Sequence, residues 1–304
     1  MNLTELSRAV EQLLVSRNLR DMATLQTELE PGYCLRAAQT LGDARTVIIG
    51  TGFPVEATFE TDGPLGAIAL YRALSELGVD CHMACADPLA SRLGDDFRVL
   101  KLEAFDVRSG KEEAQRNLAR LQPDAVVSIE RPGLAADQRY YNMRGEDISE
   151  RCAVFDYYLS LAQCPSIAVG DGGNEIGMGK LSRQVAALSI VGAATSCDEL
   201  IVADVSNWGA YALVGLLEAI HGEALLAKVT HTQTLAYLSA LGSVDGVTRE
   251  NTLTEDGLPA ADGKALLQAI DDLLTAYREN SITGHAANSG AMLDPRGLLD
   301  EETG

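Results

Sequence analysis

The chain has 304 residues, with 24 Lys+Arg against 44 Asp+Glu, a formal net charge of −20 and an isoelectric point near 4.5. So acidic a chain is poorly suited to gripping phosphate backbones or lying on an anionic membrane, which sets nucleic acid and membrane aside as partners. A hydrophobic share of 46%, mean hydropathy near zero, 28 Gly and only 9 Pro describe an α/β chain with a sizeable core, not a disordered or fibrous one.

Residues 3–19 alternate apolar and polar positions at helical spacing, and Glu5 and Glu11 interrupt the apolar run that a signal peptide needs. No stretch is apolar for the roughly 18 residues of a membrane span. Six cysteines at 34, 81, 85, 152, 164 and 197 are too dispersed for a disulfide scaffold and fit a reducing compartment. These features together predict a cytoplasmic protein. A short helix is expected around 35–41, then an alternation of apolar strands (47–50, 79–85, 98–102, 125–129, 166–169, 199–203) and helices (64–77, 88–94, 111–121, 147–162, 181–191, 207–220). That alternation predicts a mostly parallel sheet with helices on both faces, a Rossmann-like three-layer α/β fold. Extra helices follow at 231–241 and 264–278, around a polar insert at 242–263. The expected organisation is one α/β domain over 1–283, comprising the N-terminal helix, a core over 45–220 and a helical part over 221–280, with a loosely held tail at 284–304.

Ligands of open parallel sheets bind beyond the carboxyl ends of the strands, and acids cluster there in the sequence. Glu60 and Asp62 follow the first strand, Glu130 the strand at 125–129, Asp171 and Glu175 the strand at 166–169, and Asp204 the strand at 199–203. Each taken singly can be a helix cap. Four strands sending acids to one edge point instead to a shared site, and because like charges repel there, a hard divalent cation, Mn²⁺ or Mg²⁺, is the expected partner. Asp62, Glu130, Asp171 and Asp204 are the candidate ligands, with Glu60 beside them.

The segment GDGGNEIGMGK at 170–180 has five glycines in eleven positions and can bring backbone N–H groups close to an anion. It makes Gly172, Gly173, Asn174 and Lys180 candidate substrate contacts, although it lacks the Walker A spacing. Arg131 and Arg144 are candidate receivers of a substrate carboxylate or phosphate, and Trp208 a candidate pocket wall. The start Gly50-Thr-Gly52 lacks the third glycine of a dinucleotide fingerprint, so NAD is not expected, nor is PLP. Cys81-His82-Met83-Ala84-Cys85 has no second ligand pair for zinc, and no serine-hydrolase elbow is present.

The strings TGFP (51–54), ETDGPLGA (60–67), ERPG (130–133), YNMRGEDIS (141–149), GDGGNEIGMGK (170–180) and DELIVADVSNWGAYAL (198–213) resemble the D-glutamate cyclase-like C-terminal domain family, over residues from about 20 to about 280. The resemblance implies a hydro-lyase that dehydrates D-glutamate to 5-oxo-D-proline. On that chemistry Glu175 is the expected acid or base, with Asp171 as its partner at the reacting carboxylate, and Arg131 or Arg144 the dock for the α-carboxylate. The same parts would serve a metal-dependent phosphatase of a small metabolite, or a non-catalytic binding module for an amino acid or nucleotide. The expected partner is a small anionic metabolite, and a homo-oligomer is compatible with everything above.

Overall fold

Short apolar runs between helices assemble into one parallel sheet of six strands: β1 (Thr46–Thr51), β2 (Asp80–Cys85), β3 (Val99–Lys101), β4 (Ala125–Ile129), β5 (Ser166–Gly170) and β6 (Glu199–Val202). A computed structural model of the chain describes residues 1–289, and their side chains as far as residue 280. The spatial order is β3-β2-β1-β4-β5-β6, so the chain winds outward from β1 to β3 and returns beside β1 to wind the other way. The two halves therefore diverge between β1 and β4, the place where doubly wound sheets open a crevice. Register aligns the strand ends there: Thr51 lies beside Ile129, Ile129 beside Val169, and Gly170 beside Val202.

Both faces of the sheet are covered, which is why β4 and β5 are buried along their whole length and read as unbroken apolar runs. The helix Ser206–His221 is buried from Ser206 to Glu218 and packs on the helices Tyr33–Gly42 and Pro64–Glu76 and on β5. An apolar circumference suits a helix with neighbours on every side. The helix Pro64–Glu76 starts with proline, whose missing N–H costs nothing in a first turn. No helix among the described residues is long and apolar enough to cross a membrane.

Three expectations needed correction. The first helix stops at Leu14 rather than 19, and the chain continues into a tight turn with Asn18, Arg20 and Asp21 all at positive φ. The helix expected at 147–162 is a single 3-10 turn, Ser149–Arg151, and a short helix, Asp156–Ser160. Between them the backbone is drawn into tertiary pairs, with the Val154 N–H donating to the Ala104 carbonyl at 2.9 Å and the Ala153 carbonyl accepting from Arg131 at 2.6 Å. The helix expected at 181–191 likewise shrinks to Gly179–Leu181 and Ser182–Val185, and the chain beyond it is held by tertiary bonds, the Ala193 N–H donating to the Gly173 carbonyl at 3.0 Å and the Ala194 N–H to the Leu134 carbonyl at 2.7 Å. The polar insert contains a two-stranded hairpin, Thr254–Glu255 with Leu258–Pro259, before the last helix, Ala260–Ser289. The tail expected from 284 begins inside that helix, and from residue 290 it lies outside the described residues.

Gly50 marks how closely this core is packed. A Cβ there would sit 2.2 Å from Cε1 of Phe155. We expect Gly50→Ala to lower stability to chemical denaturation by about 1–3 kcal/mol. Adding Phe155→Leu to the same chain should recover part of the loss; a strictly additive double variant would mean that the two do not touch.

Candidate active site

The loops leaving β1, β4 and β5 deliver Asp62, Glu130 and Asp171 to one point, where carboxylate oxygens of the three lie within 4.8 Å of one another, all buried. The helix Ser206–His221 begins against them. The Ser206 N–H lies 3.0 Å from Asp62 Oδ2 and 3.1 Å from Asp171 Oδ2, and the Asn207 N–H donates to Asp62 Oδ1 at 2.8 Å. The Ser206 hydroxyl donates to Glu130 Oε2 at 2.6 Å, a charge-assisted bond. Backbone N–H groups and the positive end of a sixteen-residue helix thus hold the negative charge in place.

Glu130 takes a strained conformation to reach this point, with φ +44° at the end of its strand. Gly63 makes room for it: at φ +87°, a Cβ on residue 63 would come 2.7 Å from Glu130 Cβ. Asn207 locks the same corner. Its Oδ1 accepts from the N–H groups of Gly63 (2.9 Å) and Gly66 (2.7 Å), while its Nδ2 donates to the buried Glu255 at 3.0 Å, which also meets His231 Nε2 at 2.9 Å.

Arg20 crosses from the N-terminal turn into this cluster. Its Nε donates to the Asp171 carbonyl (2.7 Å), and its Nη2 to the Asp204 carbonyl (2.8 Å) and to Asp256 Oδ2 (2.6 Å), with Asp171 Oδ2 at 3.0 Å. Burial dominates the acidity of the surrounding groups. It lifts Asp62 to about 7, helped by the charge of Asp256, and lifts Asp256 to about 7, helped by Asp171 and opposed by Arg20. Burial and the neighbouring charges also raise Glu60, Glu130 and Asp171 well above the carboxylate range, with Arg20 working against the rise at Asp171.

Over the cluster lies a cavity of about 330 Å³. It is lined by Glu60, Asp62, Glu130, Asp171 and Asp256 with Arg20 on its buried side, and by Arg144, Arg151 and Arg249 together with Glu56 and Glu146 on its exposed side. The exposed side is drawn from segments far apart in sequence. Arg249 pairs with Glu146 at 3.3 Å and Glu56 at 3.5 Å, and Arg144 Nη2 donates to the Val247 carbonyl at 3.2 Å. Buried Asp245 ties this loop to the hairpin by accepting from the N–H groups of Val247, Thr248 and Gly257.

Of the residues singled out in the sequence, Asp62, Glu130 and Asp171 converge, and Glu60, Arg144 and Asn174 line the cavity. Asp204 does not join them. Its carboxylate accepts from the backbone N–H groups of Arg17 (2.8 Å) and Leu19 (2.7 Å), because the turn after the first helix has donors to satisfy. Glu175 folds back on its own loop, accepting from the Gly173 N–H at 2.7 Å, so that N–H is taken, and neither Glu175 nor Gly172 is among the residues that line the cavity. Arg131 is buried with its guanidinium on the Thr51 and Ala153 carbonyls and over the Phe155 ring. Lys180 donates to the carbonyls of Cys197 and Asp198, and Trp208 is packed within its helix with Nε1 3.4 Å from Glu255. Sequence reasoning missed Arg20, Asp256, Arg249, Ser206 and Asn207. Asp256-Gly257 is a hairpin signal that marks the first missed acid, and both residues have positive φ; Arg20 carries no such signal.

The donor set suits a hard divalent cation. All donors are carboxylate oxygens, and Glu130 Oε1 and Asp171 Oδ1 accept no hydrogen bond from the described residues. Asp62, Glu130 and Asp171 are the residues that would hold the ion.

The family model described as "D-glutamate cyclase-like, C-terminal" matches residues 10–271. Among curated proteins, the chain is 31% identical over 294 residues to "D-glutamate cyclase, mitochondrial" of Homo sapiens, an alignment covering 80% of this chain and 48% of the human protein. The chain therefore spans about half the length of that relative. Among solved structures, an exopolyphosphatase-related protein from Bacteroides fragilis aligns with TM-score 0.39 at 9% identity (82% of this chain, 57% of that one). A 3-oxoacyl (acyl-carrier-protein) reductase from Agrobacterium tumefaciens C58 aligns with TM-score 0.28 at 11% identity (68% and 70%).

The raised carboxylates have a consequence for stability. A carboxylate whose acidity is weakened by folding binds more protons folded than unfolded, so stability is full below its unfolded value and is lost as pH rises through its folded one. Metal-free protein should accordingly lose stability between about pH 4 and about pH 7, the window spanned by the ordinary value of 3.8 and the value near 7 at Asp62 and Asp256. Melting curves across that range check the sign, and a melting temperature that climbs with pH would contradict it.

Proposed function

The chain belongs to the D-glutamate cyclase-like, C-terminal family, and from that premise we propose that it dehydrates D-glutamate to 5-oxo-D-proline, as a hydro-lyase, in the cavity over Asp62, Glu130 and Asp171. The observation that carries this reading is a cluster of buried acids in a cavity that also offers the guanidinium groups of Arg20, Arg144, Arg151 and Arg249. A zwitterionic diacid small enough for about 330 Å³ matches it, since an ammonium seeks the acids and a carboxylate seeks a guanidinium.

Cyclisation joins the α-nitrogen to the γ-carboxyl carbon. Two protons leave the ammonium nitrogen, and two reach the γ-oxygen that departs as water. Arg144 and Arg249 on the exposed side hold the α-carboxylate and point the rest of the molecule inward, which fixes amine and γ-carboxylate in the folded geometry that ring closure needs. Asp256 and Glu60 line the cavity outside the trio and are placed to take a proton from the ammonium and deliver one to the departing oxygen. A divalent cation held by Asp62, Glu130 and Asp171 would, when bound, polarise the γ-carboxylate toward attack. Ser206 and Asn207 keep those three carboxylates converged.

Incubation with D-glutamate and Mn²⁺ or Mg²⁺ should give 5-oxo-D-proline, detected by chiral chromatography and mass spectrometry. Asp171→Asn should lower kcat by about 100-fold or more, with an unchanged far-UV circular dichroism spectrum. No product from the wild-type chain with any divalent ion would remove the assignment.

A further inference from the structure

Arg20 is the half-buried cation set among the acids that line the cavity, and the structure holds it there at some expense. Three of the four residues from 18 to 21 have positive φ (Asn18 +51°, Arg20 +50°, Asp21 +60°), a conformation that side-chain-bearing residues seldom adopt. The turn survives because the Asp204 carboxylate takes the N–H groups of Arg17 and Leu19, and Asn18 Oδ1 accepts from Ala23 at 2.9 Å. Strain maintained beside a cavity, by an acid that would otherwise be free to join it, indicates that the position of Arg20 matters.

The guanidinium is only partly used. Nε and Nη2 are committed to the Asp171 carbonyl, the Asp204 carbonyl and Asp256, with Asp171 Oδ2 close by. Nη1, with two N–H groups, donates to none of the described residues, yet it is not among the buried polar atoms left without a partner. Arg20 lines the cavity, and Nη1 is the guanidinium nitrogen that has no acceptor among the described residues. Anchored through Nε and Nη2, the guanidinium keeps Nη1 in a fixed place near Asp171, able to give a charge-assisted hydrogen bond to one oxygen of a carboxylate.

We infer that Arg20 Nη1 receives the γ-carboxylate of the diacid substrate and holds it against the acid cluster. The inference rests on the cyclisation reading and adds the residue that makes the buried side select an anion. As the γ-carbonyl is attacked, negative charge builds on its oxygen, and a guanidinium fixed at that oxygen stabilises it without rearranging. Arg20 lies on a loop preceding the sheet, so the requirement for a charged γ-group is set by a segment outside the strand-end loops.

The test compares two ligands across variants, because Arg20 also braces three loops and its removal will disturb them. Affinities for D-glutamate and for D-glutamine, whose γ-group is a neutral amide, are measured calorimetrically on wild type, Arg20→Lys and Arg20→Ala. Turnover of D-glutamate is measured alongside, with and without added guanidinium ion. Arg20→Ala should weaken D-glutamate about 10- to 100-fold, the range of one charge-assisted pair. D-glutamine should change by no more than about threefold, and guanidinium should restore part of the turnover of D-glutamate. Equal losses for both ligands would reduce Arg20 to a brace and overturn the inference, as would unchanged D-glutamate affinity. Wild-type protein that neither binds nor converts D-glutamate would instead remove the cyclase reading, and this assignment with it.

Discussion

The structure turns on how buried negative charge is tolerated. Asp62, Glu130 and Asp171 meet in an interior that should repel them, and no lysine among the described residues lines their cavity. What holds them is the start of the helix Ser206–His221, whose first N–H groups face the carboxylates and whose serine hydroxyl donates to the third acid. A helix N-terminus can do this because its first N–H groups have no partners within the helix. The helix in turn is fixed by burial along nearly its whole length, so the polarity of the site is underwritten by the apolar core beneath it.

Other parts of the molecule answer to the same constraint. Asn207 ties the N-terminus of that helix to the turn carrying Asp62, and the Glu255–His231 pair holds Asn207 from behind. Arg20 links Asp171 to Asp256, joining the sheet edge to the late hairpin. The cavity is thus built from the N-terminal turn, three strand-end loops and the insert after the parallel sheet. Its positive charges lie among acids throughout, Arg20 on the buried side and Arg144, Arg151 and Arg249 on the exposed side.

Much of this was legible in the sequence. All six strands, the helices Pro64–Glu76 and Ser206–His221, and the convergence of Asp62, Glu130 and Asp171 follow from apolar runs ending in acids, because a parallel sheet sends every strand end to one edge. Sequence logic failed where a residue had a competing partner. Asp204 and Glu175 have the right chemistry and neighbourhood, yet each carboxylate is turned onto a backbone N–H donor that the sequence does not reveal. Arg131 and Lys180 looked like free cations and are instead bound to carbonyls. The segment 147–162 has helical spacing, but the tertiary bonds of Ala153 and Val154 outweigh a weak local preference.

The sequence by itself determined the fold class, the acidic edge and the family, because periodicity and acids after strands are local patterns. Only the tertiary structure decided that Asp204 and Glu175 turn onto backbone donors, and that Arg20, 151 residues before Asp171, stands among the acids. The reason is physical: a side chain's role depends on which donor reaches it first in three dimensions. Partners separated by a hundred residues or more leave no trace in the spacing of either one.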